Sequence, residues 1–199
     1  MGTDKAEELK EIAQEIRELK ESPLYPYRRR HGYLPVPGVG SAEADIMLIG
    51  EAPGRQEAEA GRPFVGKAGE VLDQLLESLD LDREDVYITN VVKDRPPGNR
   101  DPRAEEIDVY APFLLREIAI VEPVAIGSLG RFATDFVLKR YAQRGHGRTM
   151  DDLHGRVLRG DAPHGEVRIV PLYHPAAVFY NRELEEIIQE DFQVLAQYV

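Results

Sequence analysis

Three short segments carry side chains suited to polar chemistry, and each follows a run that reads as a buried strand. Gly50-Glu-Ala-Pro-Gly54 sets the Glu51 carboxylate in a turn, and Glu57 follows in the same loop. Thr89-Asn-Val-Val-Lys93 offers the Asn90 carboxamide, which carries both donors and an acceptor. Tyr173-His-Pro-Ala-Ala177 offers the His174 imidazole. A carboxylate can orient or deprotonate water and favour a developing positive charge. An imidazole can donate to an oxygen that gains negative charge. His31, His146, His154 and His164 lack comparable context and read as surface residues whose spacing suits no metal.

These segments need a scaffold. Leu9, Ile12, Ile16 and Leu19 recur at helical spacing and predict an amphipathic helix over Lys5 to Glu21. Ser22 to Gly40, rich in Pro and Gly, reads as an irregular arm. Strands are expected over 44–50, 86–92, 124–127 and 167–173, and helices over 67–79, 104–121, 130–141 and 183–198. Gln143 to Gly165 reads as the least regular stretch. Strand and helix alternate, which argues for a parallel sheet covered on both faces. In such sheets sites lie beyond the C-terminal ends of strands, where Gly50–Gly54, Asn90–Arg95 and His174–Asn181 all fall.

The 199 residues suit one α/β domain spanning 1–199, with the helix in 1–22 and the arm in 23–40. No apolar run is long enough to span a bilayer and the chain opens on a charged helix, so a cytoplasmic protein is expected. There is no cysteine, which excludes disulfides, thiolate catalysis and Cys-ligated zinc or iron–sulfur centres. The net charge of −11 and the preference for Arg over Lys fit either adaptation to high salt or a GC-rich genome with acidic outer helices. Any contact with phosphates must therefore come from a local basic patch.

Four segments, in order and spacing, resemble the iron–sulfur (family 4) uracil-DNA glycosylases. They are Gly50-Glu-Ala-Pro-Gly54, Gly61-Arg-Pro-Phe-Val-Gly-Lys-Ala-Gly69, Thr89-Asn-Val-Val-Lys93 running into Arg95-Pro-Pro-Gly-Asn-Arg100, and Tyr173-His-Pro-Ala-Ala177. The resemblance covers Val36 to the C-terminus. It implies a three-layer α/β/α fold around a central four-stranded parallel sheet, and excision of uracil flipped out of single- or double-stranded DNA. It also implies roles. Phe64 stacks on the base, and the Asn90 amide pairs with uracil O4 and N3–H. His174 donates to O2, and Glu51, with Glu57 as second candidate, supplies the catalytic carboxylate. Gly50, Ala52 and Gly54 let the backbone approach the base. Phosphates would be met by Arg95, Arg100, Arg103 and Arg182, and by Arg140, Arg144 and Arg148 in the irregular stretch. Val178 or Phe179, in a loop resembling the family's minor-groove loop, would wedge into the gap left by the flipped nucleotide. A monomer is expected, with DNA as partner and no membrane.

The family holds a [4Fe–4S] cluster on four cysteines, two before the first strand in the region of Ser22 to Arg28, one where Asp94 stands and one where Tyr110 stands. The expectation is therefore no cofactor, with Asp94 paired to Arg28, Arg29 or Arg30, and Tyr25, Tyr27 and Tyr110 packed together, in the cluster's place. Alternatives are a cluster-free relative that prefers hypoxanthine or xanthine, a binder that traps uracil-DNA covalently, and an inert DNA-binding protein.

Overall fold

The computed structural model describes residues 4–142 and 148–199. Helix α1 (Lys5–Glu18) is capped by Asp4, whose carboxylate accepts from the Ala6 amide. It buries Ile12 and Ile16 and packs on α5, held there on the outside by a bidentate Arg116–Glu15 pair. The arm that follows is not wholly irregular. It contains helix α2 (Tyr25–His31), because Pro26 falls in the first turn, where a missing N–H costs nothing, and Gly32 closes the helix at φ 65°.

Next come strands β1 (Val39–Gly40) and β2 (Ile46–Gly50), then the short helix α3 (Arg55–Ala60) and helix α4 (Lys67–Glu77). Strand β3 (Tyr87–Asn90) leads into the Pro-rich loop and helix α5 (Ala104–Val121). Strand β4 (Ala125–Leu129) is followed by helix α6 (Arg131–Tyr141). The stretch expected to be least regular holds helix α7 (Met150–Leu153) and strand β5 (Leu158–Ala162), which forms a hairpin with β6 (Gly165–Leu172). Helix α8 (Leu184–Gln193) is followed by a 3-10 helical segment (Val194–Tyr198). Arg144 and His146 lie outside the described residues.

The strand order is β1-β3-β2-β4-β6-β5. The four central strands are parallel, as expected, while β1 and β5 add antiparallel edges that the sequence did not predict. Side chains alternate across the sheet. Met47 and Ile49 enter the cluster under α5 and α6, and Ile46 and Leu48 enter the one under α4 and α8. Both faces are thus covered, giving three α/β/α layers. The register pairs Gly50 with Asn90, so the ends of β2 and β3 stop level with each other.

No helix among the described residues is long and apolar enough to cross a membrane.

Candidate functional site

A cavity of about 520 Å³ opens at the C-terminal ends of the parallel strands. Glu51, Ala52, Gly54, Glu57, Phe64, Asn90, Arg100 and His174 line it, together with Pro96, Asn99, Asp101, Ala176, Ala177 and Tyr180. It draws together residues far apart in sequence because three strand ends and the loop between α3 and α4 converge there.

Asn90 ends β3 and is only 2% exposed. A Cβ on Gly50 would lie 2.4 Å from Asn90 Oδ1 and 2.7 Å from Phe64 Cζ, so glycine at the end of β2 makes room for both side chains. The β3 terminus is braced from below by a buried network. Lys93 Nζ donates to Glu117 Oε2 at 2.6 Å and to Thr89 Oγ1 at 2.5 Å, and the Gly38 amide donates to Glu117 Oε1 at 3.2 Å. Burial pushes the Lys93 ammonium down, and Glu117 acts against that shift.

Phe64 is buried and adopts φ 52°, a left-handed conformation costing a bulky residue about 1–3 kcal/mol. Two neighbours hold it. Glu57 Oε1 accepts from the amides of Val65 (3.0 Å) and Gly66 (2.8 Å). Arg83 donates to the Phe64 carbonyl at 2.5 Å and to the Pro63 carbonyl at 3.2 Å, and is itself tied to Asp73. Gly69 is required beneath, since a Cβ there would meet the Phe64 carbonyl oxygen at 1.8 Å. Sequence reasoning did not single out Arg83, because its partners are backbone carbonyls that leave no pattern in side-chain types. Arg83→Ala is expected to lower kcat/KM by roughly tenfold or more through misplacement of Phe64. Arg83→Lys should recover only part of that loss, as one ammonium cannot reproduce the fork. Single-turnover kinetics check this, and a full-rate Arg83→Ala enzyme would remove Arg83 from the site.

The Phe64 and His174 rings stack with centroids 5.7 Å apart. The Ala176 amide donates to His174 Nδ1 at 3.1 Å, which makes Nδ1 an acceptor and leaves the proton on Nε2. Burial pushes the imidazole down to about 4, with Glu57 acting in the opposite sense. His174 is therefore a neutral donor at ordinary pH. Gly130, at φ 87°, follows β4 and would bring a Cβ within 3.2 Å of the His174 Cβ. Glu51 is half-buried at the cavity wall. Burial pushes its carboxyl up to about 7, Asp101 adds to the rise, and Arg131 opposes it.

The residues expected to meet DNA divide. Arg182 is exposed and Arg95 half-buried, and neither pairs with a carboxylate among the described residues. Arg100, expected to meet a phosphate, lines the cavity and is already paired. It forms a two-pronged pair with the buried Glu106, which also accepts from the Arg103 amide at the start of α5. Arg103 reaches Glu105 at 3.7 Å, and Arg140 lies over the Phe136 ring. Val178 packs toward the cluster under α4 and α8, whereas Phe179 is 52% and Tyr180 91% exposed. Tyr180 stands at the cavity mouth and is a candidate that the sequence reading passed over. His154 lies outside the cavity lining, bonded through Nδ1 to Asp191 at 2.7 Å.

The positions resembling the cluster-bearing ones hold a polar knot. Arg28 Nη1 contacts both Asp94 oxygens at 3.1 Å, and Tyr110 donates to Asp94 Oδ2 at 2.6 Å. Arg28 also donates to the Leu19 carbonyl, and its guanidinium lies 4.9 Å from the centre of the Tyr25 ring. Tyr27 packs instead with His31 and Tyr33, not with Tyr110. These donors do not fit an iron–sulfur cluster. Such clusters are held by thiolates, a guanidinium cannot ligate iron, and the chain has no cysteine.

A doubly covered α/β sheet, with an amide, a neutral imidazole and a raised carboxylate gathered around one cavity at its strand ends, is a three-layer α/β/α protein with a candidate site of polar chemistry. The sequence model described as the uracil DNA glycosylase superfamily matches residues 37–196, and the chain belongs to that family. It is 39% identical over 191 residues to the type-4 uracil-DNA glycosylase of Archaeoglobus fulgidus, covering 96% of this chain and 93% of that one. It is 37% identical over 199 residues to the type-4 uracil-DNA glycosylase of Thermotoga maritima, covering 97% and 96%. A type-5 uracil-DNA glycosylase of Pyrobaculum aerophilum is more distant, 32% identical over 181 residues and 80% of this chain.

Proposed function

We propose that this protein excises uracil from DNA by hydrolysing the N-glycosidic bond, with Asn90, His174, Phe64 and Glu51 in the reacting pocket. The observation that carries the reading is the meeting of a buried strand-end amide, an Nε2-protonated imidazole and a raised carboxylate around one cavity beside an aromatic ring.

The flipped base lies against Phe64. The Asn90 carboxamide donates to O4 and accepts from N3–H, an arrangement that cytosine, with an amino group and an unprotonated ring nitrogen, mismatches. As the C1′–N1 bond breaks, its electron pair passes into the uracil ring, and His174 Nε2–H donates to O2 as charge gathers there. A water held by Glu51 attacks C1′ and gives its proton to the carboxylate. The products are free uracil and an abasic site. Glu57 acts on the Phe64 loop rather than on the water, since one of its oxygens already holds two amides. Phe179 and Tyr180 are the exposed side chains suited to fill the gap in the stack, and Arg95 and Arg182 to meet phosphates.

Incubation with uracil-containing single- and double-stranded DNA tests the reading through release of free uracil and appearance of alkali-labile sites. Asn90→Ala and His174→Ala are each expected to lower kcat at least about a hundredfold, the scale of one lost oxyanion donor. Absence of product from folded wild-type protein would overturn the assignment. Product from hypoxanthine-DNA but not from uracil-DNA would overturn the role given to Asn90, and a DNA adduct surviving denaturation would replace hydrolysis by trapping.

A further inference from the structure

We propose that α2 and the loop after β3 form a second DNA subsite, a stacking platform of Tyr27, His31, Tyr33 and Arg95 that holds unpaired nucleotides flanking the target base. The proposal rests on the pocket being the uracil site.

The rings form a continuous series. Tyr27 and His31 have centroids 4.1 Å apart, and His31 and Tyr33 stack at 5.4 Å with planes only 12° from parallel. His31 Nδ1 lies 2.9 Å from the Tyr27 carbonyl, which fixes the middle ring. The Arg95 guanidinium sits 5.2 Å from the centre of the Tyr33 ring and donates to its hydroxyl at 2.6 Å. Aromatic rings that meet in this way usually belong to a core. Here they belong to neither hydrophobic cluster, His31 is exposed, and Tyr27 and Tyr33 are half-buried. A series of rings ending in a guanidinium, kept at the surface, suits planar ligands with anionic links between them.

The series also leads to the pocket. Arg95 Nε donates to Asn99 Oδ1 at 2.7 Å, and Asn99 and Pro96 line the cavity. Tyr33 is followed by Leu34, whose amide bonds to the Ala58 carbonyl of α3, the helix that carries Glu57. The platform is therefore anchored on both sides to elements that build the pocket.

Charge points to the same ligand. The chain carries −11 overall, yet Arg29 and Arg30 on α2 are exposed and pair with no carboxylate among the described residues. An acidic protein that leaves cations unpaired beside an exposed His31 and two half-buried tyrosines offers a local site for phosphates. Single strands fit better than duplex, because their base faces are free to stack on the rings, while duplex bases cover one another.

The test uses the intact chain and single-stranded oligonucleotides with uracil placed centrally or next to either end. Replacing Tyr27→Ala together with His31→Ala is expected to raise KM for the central uracil about fivefold to tenfold, the lower range for a lost base–aromatic stack, with kcat little changed. The penalty should vanish on the oligonucleotide that lacks nucleotides on the platform side, which also reveals the strand polarity. Tyr27→Phe with His31→Phe keeps the rings and should keep KM. An unchanged KM on the long strand, or an equal penalty on long and truncated strands, would overturn the platform. Thermal melting shows that both variants fold. Binding of a strand carrying a non-cleavable 2′-fluorinated deoxyuridine, read by anisotropy, reports on the platform even if no uracil is released. A wild-type protein that binds this strand through the rings but releases no uracil would therefore count against the pocket reading and not against the platform.

Discussion

Replacing Glu51 by glutamine is expected to lower kcat by roughly a hundredfold to ten-thousandfold, the range of a lost general base. Substrate binding should change little, because Glu51 faces the attacked carbon in the proposed reaction rather than the base edge read by Asn90. The same residue sets the pH dependence. Its carboxyl is pushed up to about 7 by burial, with Asp101 adding to the rise. The ionised form is the active one, so wild-type kcat should climb about tenfold per pH unit below 7 and level off above it. His174, pushed down to about 4, stays neutral over this range and adds no limb of its own. The Glu51→Gln profile should be flat between pH 5 and 8.

Stability supplies a control with the opposite sign. A carboxyl raised from 4.5 to about 7 in the folded protein favours folding while protonated, and loses that contribution as pH rises through 7. Glu51→Gln should therefore melt higher than wild type above pH 7 while being nearly inactive. A variant both slow and less stable would indicate damage to the pocket instead. A wild-type profile flat across pH 7 would remove Glu51 as the base.

The parts of the fold legible in the sequence were those with strong periodicity or continuous apolar runs. Helix α5 is bounded as expected because Arg103 and Glu106 cap its start and the chain turns left-handed at Glu122. The edge strands were not legible. β1 has only two residues, and β5 reads Leu-Arg-Gly-Asp-Ala, whose exposed positions leave little apolar alternation. Helix α3, with six residues, is too short for a period to emerge.

In the site, side chains whose function depends on their own chemistry could be picked out, and Asn90, Phe64, His174, Glu51 and Glu57 do line one cavity. What could not be read was the support around them. The left-handed backbone of Phe64 is invisible in a non-glycine residue, and the Arg83 clamp spans 19 residues to a carbonyl. Arg100 was legible as a cation, but its neutralisation by Glu106 depends on how the loop folds back onto α5. The same holds for Glu57. Its type suggested acid–base work, while its position gives one oxygen to the amides of Val65 and Gly66.

Asp94→Ala is expected to destabilise the protein by roughly 3–5 kcal/mol, because Arg28 would be left charged and unpaired in the interior. That corresponds to a fall in Tm of roughly 6–20 °C for a chain of this size. The pair sits where four segments meet: the end of α1 through the Leu19 carbonyl, α2 through Arg28, the loop after β3 through Asp94, and α5 through Tyr110. Three of them, the arm with α2, the loop after β3 and α5, are where the resemblance places the family's cysteines, and here a hydrogen-bonded ion pair joins them. Burial pushes the Asp94 carboxyl up, while Tyr110 and Arg28 pull it down, and a buried ion pair carries the desolvation cost of both its partners. Two results follow. Removing one partner should be costly. Removing all three polar groups together, as Asp94→Leu, Arg28→Met and Tyr110→Phe, should return most of the lost stability. If α2 is placed by this knot, Asp94→Ala should also raise KM for single-stranded substrate, while the apolar triple, with the arm packed again, should not. A melting temperature unchanged within a degree or two in Asp94→Ala would show that the arm is held by its other contacts and that the knot is incidental.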